Sequence, residues 1–254
     1  MFFPTAFMVG LLTGIWQGGQ LFSRKSALIK AEKEDLKAVL FFGRKPIKLV
    51  LFDIGGVFVD AELDRYVQLG CAAFQTNPNS LRREIAEKLP AFEMGKLDSE
   101  SFWREIGESL WQSGEGSRSI VNNCADFWKN IFRATLTIDE RLLQLTEELR
   151  RNGCAVGALS NTIAEHADIL EEVGFYKYFD PCILSCRVGM RKPQAEIFKL
   201  AAQVAGVPLK QCLFVDDQSG NIKAAKSAGM DGLVFTSAEQ LYKDLVQKKL
   251  LHAN

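Results

Sequence analysis

From residue 47 onward the chain repeats one pattern: a short apolar run, a break, and an amphipathic helical stretch. The apolar runs are Ile47–Phe52, Cys154–Leu159, Cys182–Leu184, Cys212–Val215 and Gly232–Phe235. Helical patterns occupy Glu140–Arg151, Ile163–Val173, Ala195–Ala205, Asn221–Ala228 and Glu239–Lys249. Short apolar runs bounded by turn residues suit strands buried on both faces. Strands that alternate with helices predict an α/β fold, a parallel sheet with helices on both sides. Gly153, Gly174, Gly206 and Gly229 stand at or just past the expected helix ends, where a left-handed residue is needed.

The rhythm breaks once. Between Asp60 and Ile138 there is no convincing strand, only amphipathic stretches at Leu63–Phe74, Ser80–Leu89, Ser99–Trp111 and Ile120–Ile131. Asn77-Pro78-Asn79-Ser80 reads as a turn into a helix, and Asp98-Ser99 supplies capping residues before the next apolar stripe. The expected organisation is an extension over residues 1–46, a core made of 47–60 and 139–254, and a helical insertion over 61–138. Trp103, Trp111, Phe127, Trp128 and Phe132 read as packing residues of the insertion, with an aromatic substrate cage as the sharper alternative.

Composition excludes some partners and chemistries. Thirty-one basic residues balance thirty-one acidic ones, so no basic field argues for nucleic acid. Six scattered cysteines form no CxxC pair and read as free thiols of a reducing, cytoplasmic compartment. Only His166 and His252 are present, which argues against a histidine-based triad or a histidine-rich metal site. The amino terminus differs from the rest. Met1 to Ser23 carries no charged side chain, and Arg24, Lys25, Lys30 and Lys33 follow it. Its apolar part is borderline for a membrane span of about 20 residues. Three readings stay open: an anchor giving weak membrane association, a targeting segment, and an extension of little consequence or a start codon assigned too far upstream.

Chemistry concentrates at the ends of the expected strands. Ile47–Phe52 ends in Asp53-Ile54-Gly55-Gly56. Cys154–Leu159 ends in Ser160-Asn161-Thr162. Cys212–Val215 ends in Asp216-Asp217, with Asn221 soon after, and a loop at Gly189-Met190-Arg191-Lys192-Pro193 opens a helix. In open parallel sheets ligands bind at the carboxyl ends of strands. Taken singly, each piece has a plain structural reading: a turn cap, a helix N-cap, a solvated acidic turn, a surface lysine.

In this order the four pieces resemble the haloacid dehalogenase superfamily of phosphohydrolases, over roughly residues 47–242. The resemblance implies a Rossmann-like three-layer core with an inserted all-helical cap of the C1 type, which closes over the site and selects the substrate. Within that superfamily the segments Phe52–Gly55, Leu159–Thr162, Leu184–Pro193 and Asp216–Asn221 are most similar to bacterial α-D-glucose-1-phosphate phosphatase-like proteins.

On that resemblance Asp53 is the nucleophile that would form an aspartyl-phosphate. Lys192 balances charge on Asp53 and on the phosphate. Ser160 and Asn161, with Lys192, hold the phosphoryl group. Asp216 and Asp217 are hard oxygen ligands suited to Mg²⁺, and Asp53 and the Gly55 carbonyl join them as metal ligands by resemblance. Which of Asp216 and Asp217 touches the ion is left open. The expected partner is a small phosphorylated metabolite, with a sugar phosphate as the finer expectation.

One position departs from the superfamily. Most of its phosphatases carry a second aspartate two residues after the nucleophile, as general acid and base, and here that position is Gly55. Loss of a general acid typically costs about 10²–10⁴-fold. The departure keeps a rival open, a catalytically weak phosphate-binding or regulatory protein. A phosphotransferase or mutase is a further alternative.

Overall fold

The computed structural model describes residues 46–60, 63–117 and 124–253, with side chains for 46–60, 66–117 and 128–253. The amino-terminal expectations concern residues outside that set. Among the described residues no helix is long and apolar enough to cross a membrane.

Five parallel strands form one sheet: β1 (Leu49–Phe52), β2 (Ala155–Ser160), β3 (Cys182–Leu184), β4 (Cys212–Asp216) and β5 (Asp231–Val234), in spatial order β3-β2-β1-β4-β5. The strand β1 is central and entirely buried. Its register is Phe52 opposite Ala158 on one side and opposite Val215 on the other. The chain steps outward from β1 through β2 to β3, then returns to the far side of β1 for β4. That reversal opens a crevice at the carboxyl ends of β1 and β4, where ligands of such sheets bind.

Alternation along the strands divides the core in two. Val50, Phe52, Val156, Ala158, Leu213 and Val215 face one side. There they meet Leu142, Leu145 and Leu149 of the helix Glu140–Arg151, and Leu241 and Leu245 of the helix Ala238–Gln247. Leu49, Leu51, Cys212 and Phe214 face the other side, against Ile197 and Phe198 of the helix Ala195–Val204 and Ile222 of the helix Ser219–Ala228. The result is the three-layer arrangement expected from the strand and helix pattern.

Between β1 and the helix Glu140–Arg151 the described chain is helical: α1 (Leu63–Phe74), α2 (Pro78–Glu93), α3 (Ser99–Gln112) and α4 (Cys124–Thr135). The α2 start is set by Asn77, whose side chain accepts from the Ser80 N–H at 3.0 Å. The α3 start is set by Asp98, which accepts from the Ser101 N–H at 2.7 Å. The helix α2 runs past Leu89, where the sequence reading stopped, and includes Pro90. A proline this close to the end removes few helical hydrogen bonds, so the last turn survives. Phe102, Trp103, Ile106 and Leu110 form the buried stripe of α3. Trp111, expected in the core, is 49% exposed because it stands one residue beyond that stripe. The helical region has its own apolar cluster, built from Val67, Leu81, Ile85, Phe102, Trp103 and Trp128, and Ile163 from the sheet side joins it.

The sheet leaves no room at Gly157 in β2. A Cβ there would lie 2.6 Å from the Pro181 carbonyl oxygen and 2.9 Å from Leu51 Cδ2. Gly157→Ala is therefore expected to lower stability by about 1–3 kcal/mol. Urea unfolding checks this: the midpoint should fall while the slope stays constant.

Candidate active site

Three chain segments converge at the sheet's carboxyl edge because their strands are neighbours in register. Asp53 follows β1, and its N–H donates to the Val215 carbonyl at 2.8 Å, so it lies level with the end of β4. Asp216 is the last residue of β4, and Asp217 follows it. Ser160 ends β2 on the other side of β1. Carboxylate oxygens of Asp53, Asp216 and Asp217 all lie within 4.8 Å of one another.

Lys192 closes this acidic group. Its ammonium is 1% exposed and donates to Asp53 Oδ2 at 2.8 Å and Asp216 Oδ2 at 2.7 Å. It also sits 5.2 Å from the centre of the Phe214 ring. A buried ammonium is tolerated only with such partners. Its backbone is pinned by Asn161: the Lys192 N–H donates to Asn161 Oδ1 at 2.8 Å, and Asn161 Nδ2 donates back to the Lys192 carbonyl at 3.0 Å. The Asn161 side chain is thus spent on the lysine loop, while Ser160 lies buried beside it.

Asp216 is saturated. Oδ1 accepts from the Gln218 N–H at 2.7 Å and from Asn221 Nδ2 at 3.1 Å. Oδ2 accepts from Lys192 Nζ at 2.7 Å and from the same Asn221 amide at 3.1 Å. A carboxylate has about four acceptor positions, so these contacts fill it. Asp217 is more exposed. Its carboxylate carbon lies only 2.7 Å from where a Cβ on Gly56 would stand, and Gly56 has φ +75. Residue 56 must therefore be glycine for two separate reasons: the left-handed backbone and the carboxylate packed against it.

Burial pushes the Asp53 carboxyl up to about 7; Lys192 opposes that rise and the charge of Asp216 adds to it. Asp217 is raised as well, by burial and then by Asp216. Three hard oxygen donors crowded together, two of them held above the usual carboxylate range, fit a small divalent cation. Such a cation would favour their ionised forms.

Beside this edge lies a cavity of about 170 Å³. It is lined by Gly55, Ser160 and Asn161 from the strand ends and by Tyr66, Trp128, Phe132, His166 and Leu170. Tyr66 stacks on Trp128 at 4.8 Å between centroids, and Phe132 stacks on His166 at 3.9 Å. Asp60 and Glu93 bring carboxyl groups to the same wall. Glu93, from the end of α2, accepts from Arg191 Nε at 2.8 Å and pairs with its Nη2 at 2.8 Å. Burial raises the Glu93 carboxyl, and Arg191 pulls it back.

Residues 47–229 match the sequence profile of the haloacid dehalogenase-like hydrolases. The chain belongs to this family. It is similar to a D-ribitol-5-phosphate phosphatase of Bacteroides thetaiotaomicron, 30% identical over 73% of this chain and 90% of the relative. It is also similar to the sesquiterpene phosphatase astK of Aspergillus oryzae, 28% identical over 75% and 91%. Among solved structures, a family enzyme from B. thetaiotaomicron in complex with magnesium and inorganic phosphate shares the fold. That match has a TM-score of 0.60 and 24% identity, covering 77% of this chain and 99% of that one. This hydrolase is a phosphohydrolase with the family's sheet core and a helical cap.

The geometry brings together Asp53, Gly55, Ser160, Asn161, Lys192, Asp216 and Asp217, the residues named from sequence. Sequence reasoning passed over the Glu93–Arg191 pair, Tyr66 and His166. The adjacency of Arg191 to Lys192 was a signal for the first. The place of His166 one turn past Ser160-Asn161-Thr162 was a signal for the last.

Asn221 holds both Asp216 oxygens, so Asn221→Ala should loosen the acidic group without touching a substrate. Loss of a hydrogen-bond donor to a buried carboxylate typically costs about 1–3 kcal/mol. Urea unfolding of wild type and variant should show a loss of stability in that range; equal midpoints would count against a supporting role.

Proposed function

We propose that this hydrolase is a Mg²⁺-dependent phosphomonoesterase that turns over a small phosphorylated metabolite through an aspartyl-phosphate on Asp53. The observation that supports it most is the meeting of Asp53, Lys192 and the Asp216-Asp217 pair at the sheet's reversal point, beside a cavity large enough for a leaving group. Asp53, the Gly55 carbonyl and Asp217 would hold the cation. Asp216, already saturated, serves instead to position Lys192. The ion's chemical contribution would be to offset the charge of the phosphate oxygens facing Asp53.

A carboxylate oxygen of Asp53 attacks phosphorus, and the bond from phosphorus to the leaving oxygen breaks as the new one forms. Lys192 lowers the repulsion between Asp53 and the dianion. Ser160 and the backbone around Asn161 orient the phosphoryl oxygens at the end of β2. Asn161 acts through Lys192, because its side chain is committed to that residue's backbone. Water then attacks phosphorus, releases inorganic phosphate and restores Asp53. Residue 55 is glycine, so the proton for the leaving oxygen has to come from elsewhere. Glu93 and Asp60 are the carboxyl groups on the cavity wall.

The similarity of Leu184–Pro193 to glucose-1-phosphate phosphatase-like proteins makes a sugar phosphate one candidate substrate. An anomeric leaving group would need least help from an acid at residue 55. The relatives named above act on ribitol 5-phosphate and on a sesquiterpene phosphate by name, so chain similarity alone leaves the alcohol unspecified. Gly55 also favours a second reading, a phosphate-binding protein with negligible turnover.

One experiment separates the two. Wild-type protein should release phosphate from a panel of phosphomonoesters only with Mg²⁺. Asp53→Asn should fall to the assay background while keeping its circular dichroism spectrum. Unchanged turnover in the variant would falsify the aspartyl-phosphate mechanism. Stabilisation by phosphate without any turnover in wild type would favour the binding reading.

A further inference from the structure

We propose that the alcohol released by this enzyme carries a compact apolar body, a single ring or branched hydrocarbon of about six to ten carbons, rather than a polyhydroxylated sugar. The inference rests on the phosphomonoesterase reading and specifies its leaving group.

Size sets the first limit. A cavity of about 150 Å³ lined by aliphatic and aromatic side chains takes up one benzene molecule. The cavity here, about 170 Å³, is lined by Gly55 and Ser160, so a phosphate held at the strand ends would project its alcohol into it. A body much larger than one ring would have to extend out of the opening.

The chemistry of the walls sets the second. Tyr66 and Trp128 form one stacked pair, Phe132 and His166 another, and Ile163 and Leu170 fill between them. The polar groups on the lining are mostly committed elsewhere. The Glu93 carboxylate is taken by Arg191, and the Asn161 amide by the Lys192 backbone. The Thr162 backbone is tied to Ser185, whose Oγ accepts from the Thr162 N–H at 2.9 Å and donates to its carbonyl at 3.1 Å, and the Thr162 hydroxyl donates to the Ile163 carbonyl at 3.4 Å. Asp60 is exposed.

On the cavity lining, two buried side-chain atoms remain with no hydrogen-bond partner among the described residues, Trp128 Nε1 and His166 Nε2. Burial draws His166 down to about 3, so its ring is neutral near pH 7 and brings no charge to the wall. Apart from the exposed Asp60 carboxylate, such a wall can satisfy one or two polar atoms. A sugar would bury several hydroxyl groups and leave most unpaired, and an unpaired buried polar group is costly. An apolar body loses nothing comparable and gains from removal of its surface from water.

The test compares kcat/KM for benzyl phosphate and 3,3-dimethylbutyl phosphate with that for glucose 6-phosphate and ribose 5-phosphate. All four release primary alcohols of similar basicity, so differences report the pocket. The apolar esters should lead by about tenfold or more. Phe132→Ala should shrink that lead, and Phe132→Leu, which keeps more of the volume, should retain part of it. The wild-type comparison stands even if a variant fails to fold. Sugar phosphates turned over equally well or better, in an activity that Asp53→Asn abolishes, would overturn this inference and leave the phosphatase reading intact. If no ester is hydrolysed, the phosphatase reading fails, and thermal shifts in wild type then decide the pocket. A larger shift with benzylphosphonate than with methylphosphonate supports the apolar site; equal shifts overturn it.

Discussion

Everything at the catalytic edge depends on one buried ammonium. Lys192 is almost wholly removed from water and survives there because Asp53 and Asp216 each lie within 2.8 Å of it. Removing both carboxylates would strand the ammonium in the interior, and removing the lysine would leave two like charges facing each other. The contact therefore ties β1, β4 and the loop before the helix Ala195–Val204 to one point. Asn161 adds β2 to the same point by gripping the Lys192 backbone from both ends. The four motifs, spread over some 170 residues of chain, become one site through this knot of short polar contacts.

The sheet makes the knot possible. With β1 central and the strand order reversing across it, the ends of β2 and β4 flank Asp53 on either side. Parallel register then carries Asp216 level with Asp53. The tight turn after β1, with Gly56 in a left-handed conformation, lets Asp217 come against its backbone. The acidic cluster and the lysine are thus products of topology as much as of residue choice. They would be an unstable concentration of like charge without the amides of Gln218 and Asn221 around Asp216.

The helical region contributes the opposite chemistry. It presents aromatic walls beside the polar edge and is held to the core through Ile163 and through the Glu93–Arg191 pair. Because Arg191 immediately precedes Lys192, the side chain that fixes the end of α2 and the one that fixes the acidic cluster come from adjacent residues. Cap placement and charge placement are coupled through that dipeptide. A leaving group would meet the apolar walls, while its phosphate would stay with Lys192 and the strand ends.

Local pattern was enough to predict the strands, most helices and the residues at the strand ends. Burial on both faces forces short apolar runs, and catalytic groups in such sheets must follow them. The sequence by itself determined the parallel α/β core and the strand-end residues, from Asp53 to Asp217, that meet at one edge. Tertiary structure alone decided the rest. It set Asp216 apart from Asp217, because Gln218, Asn221 and Lys192 meet in space around the first and leave the second more exposed. It turned Asn161 toward the lysine backbone and placed Glu93 against Arg191, nearly a hundred residues away. It also sorted the aromatic residues of the helical region, sending Trp103 into the core, Trp111 toward solvent, and Trp128 and Phe132 to the cavity. Helical period says only that these rings share an apolar character; which ring meets a neighbour and which meets an opening is settled by the packing of one helix against another.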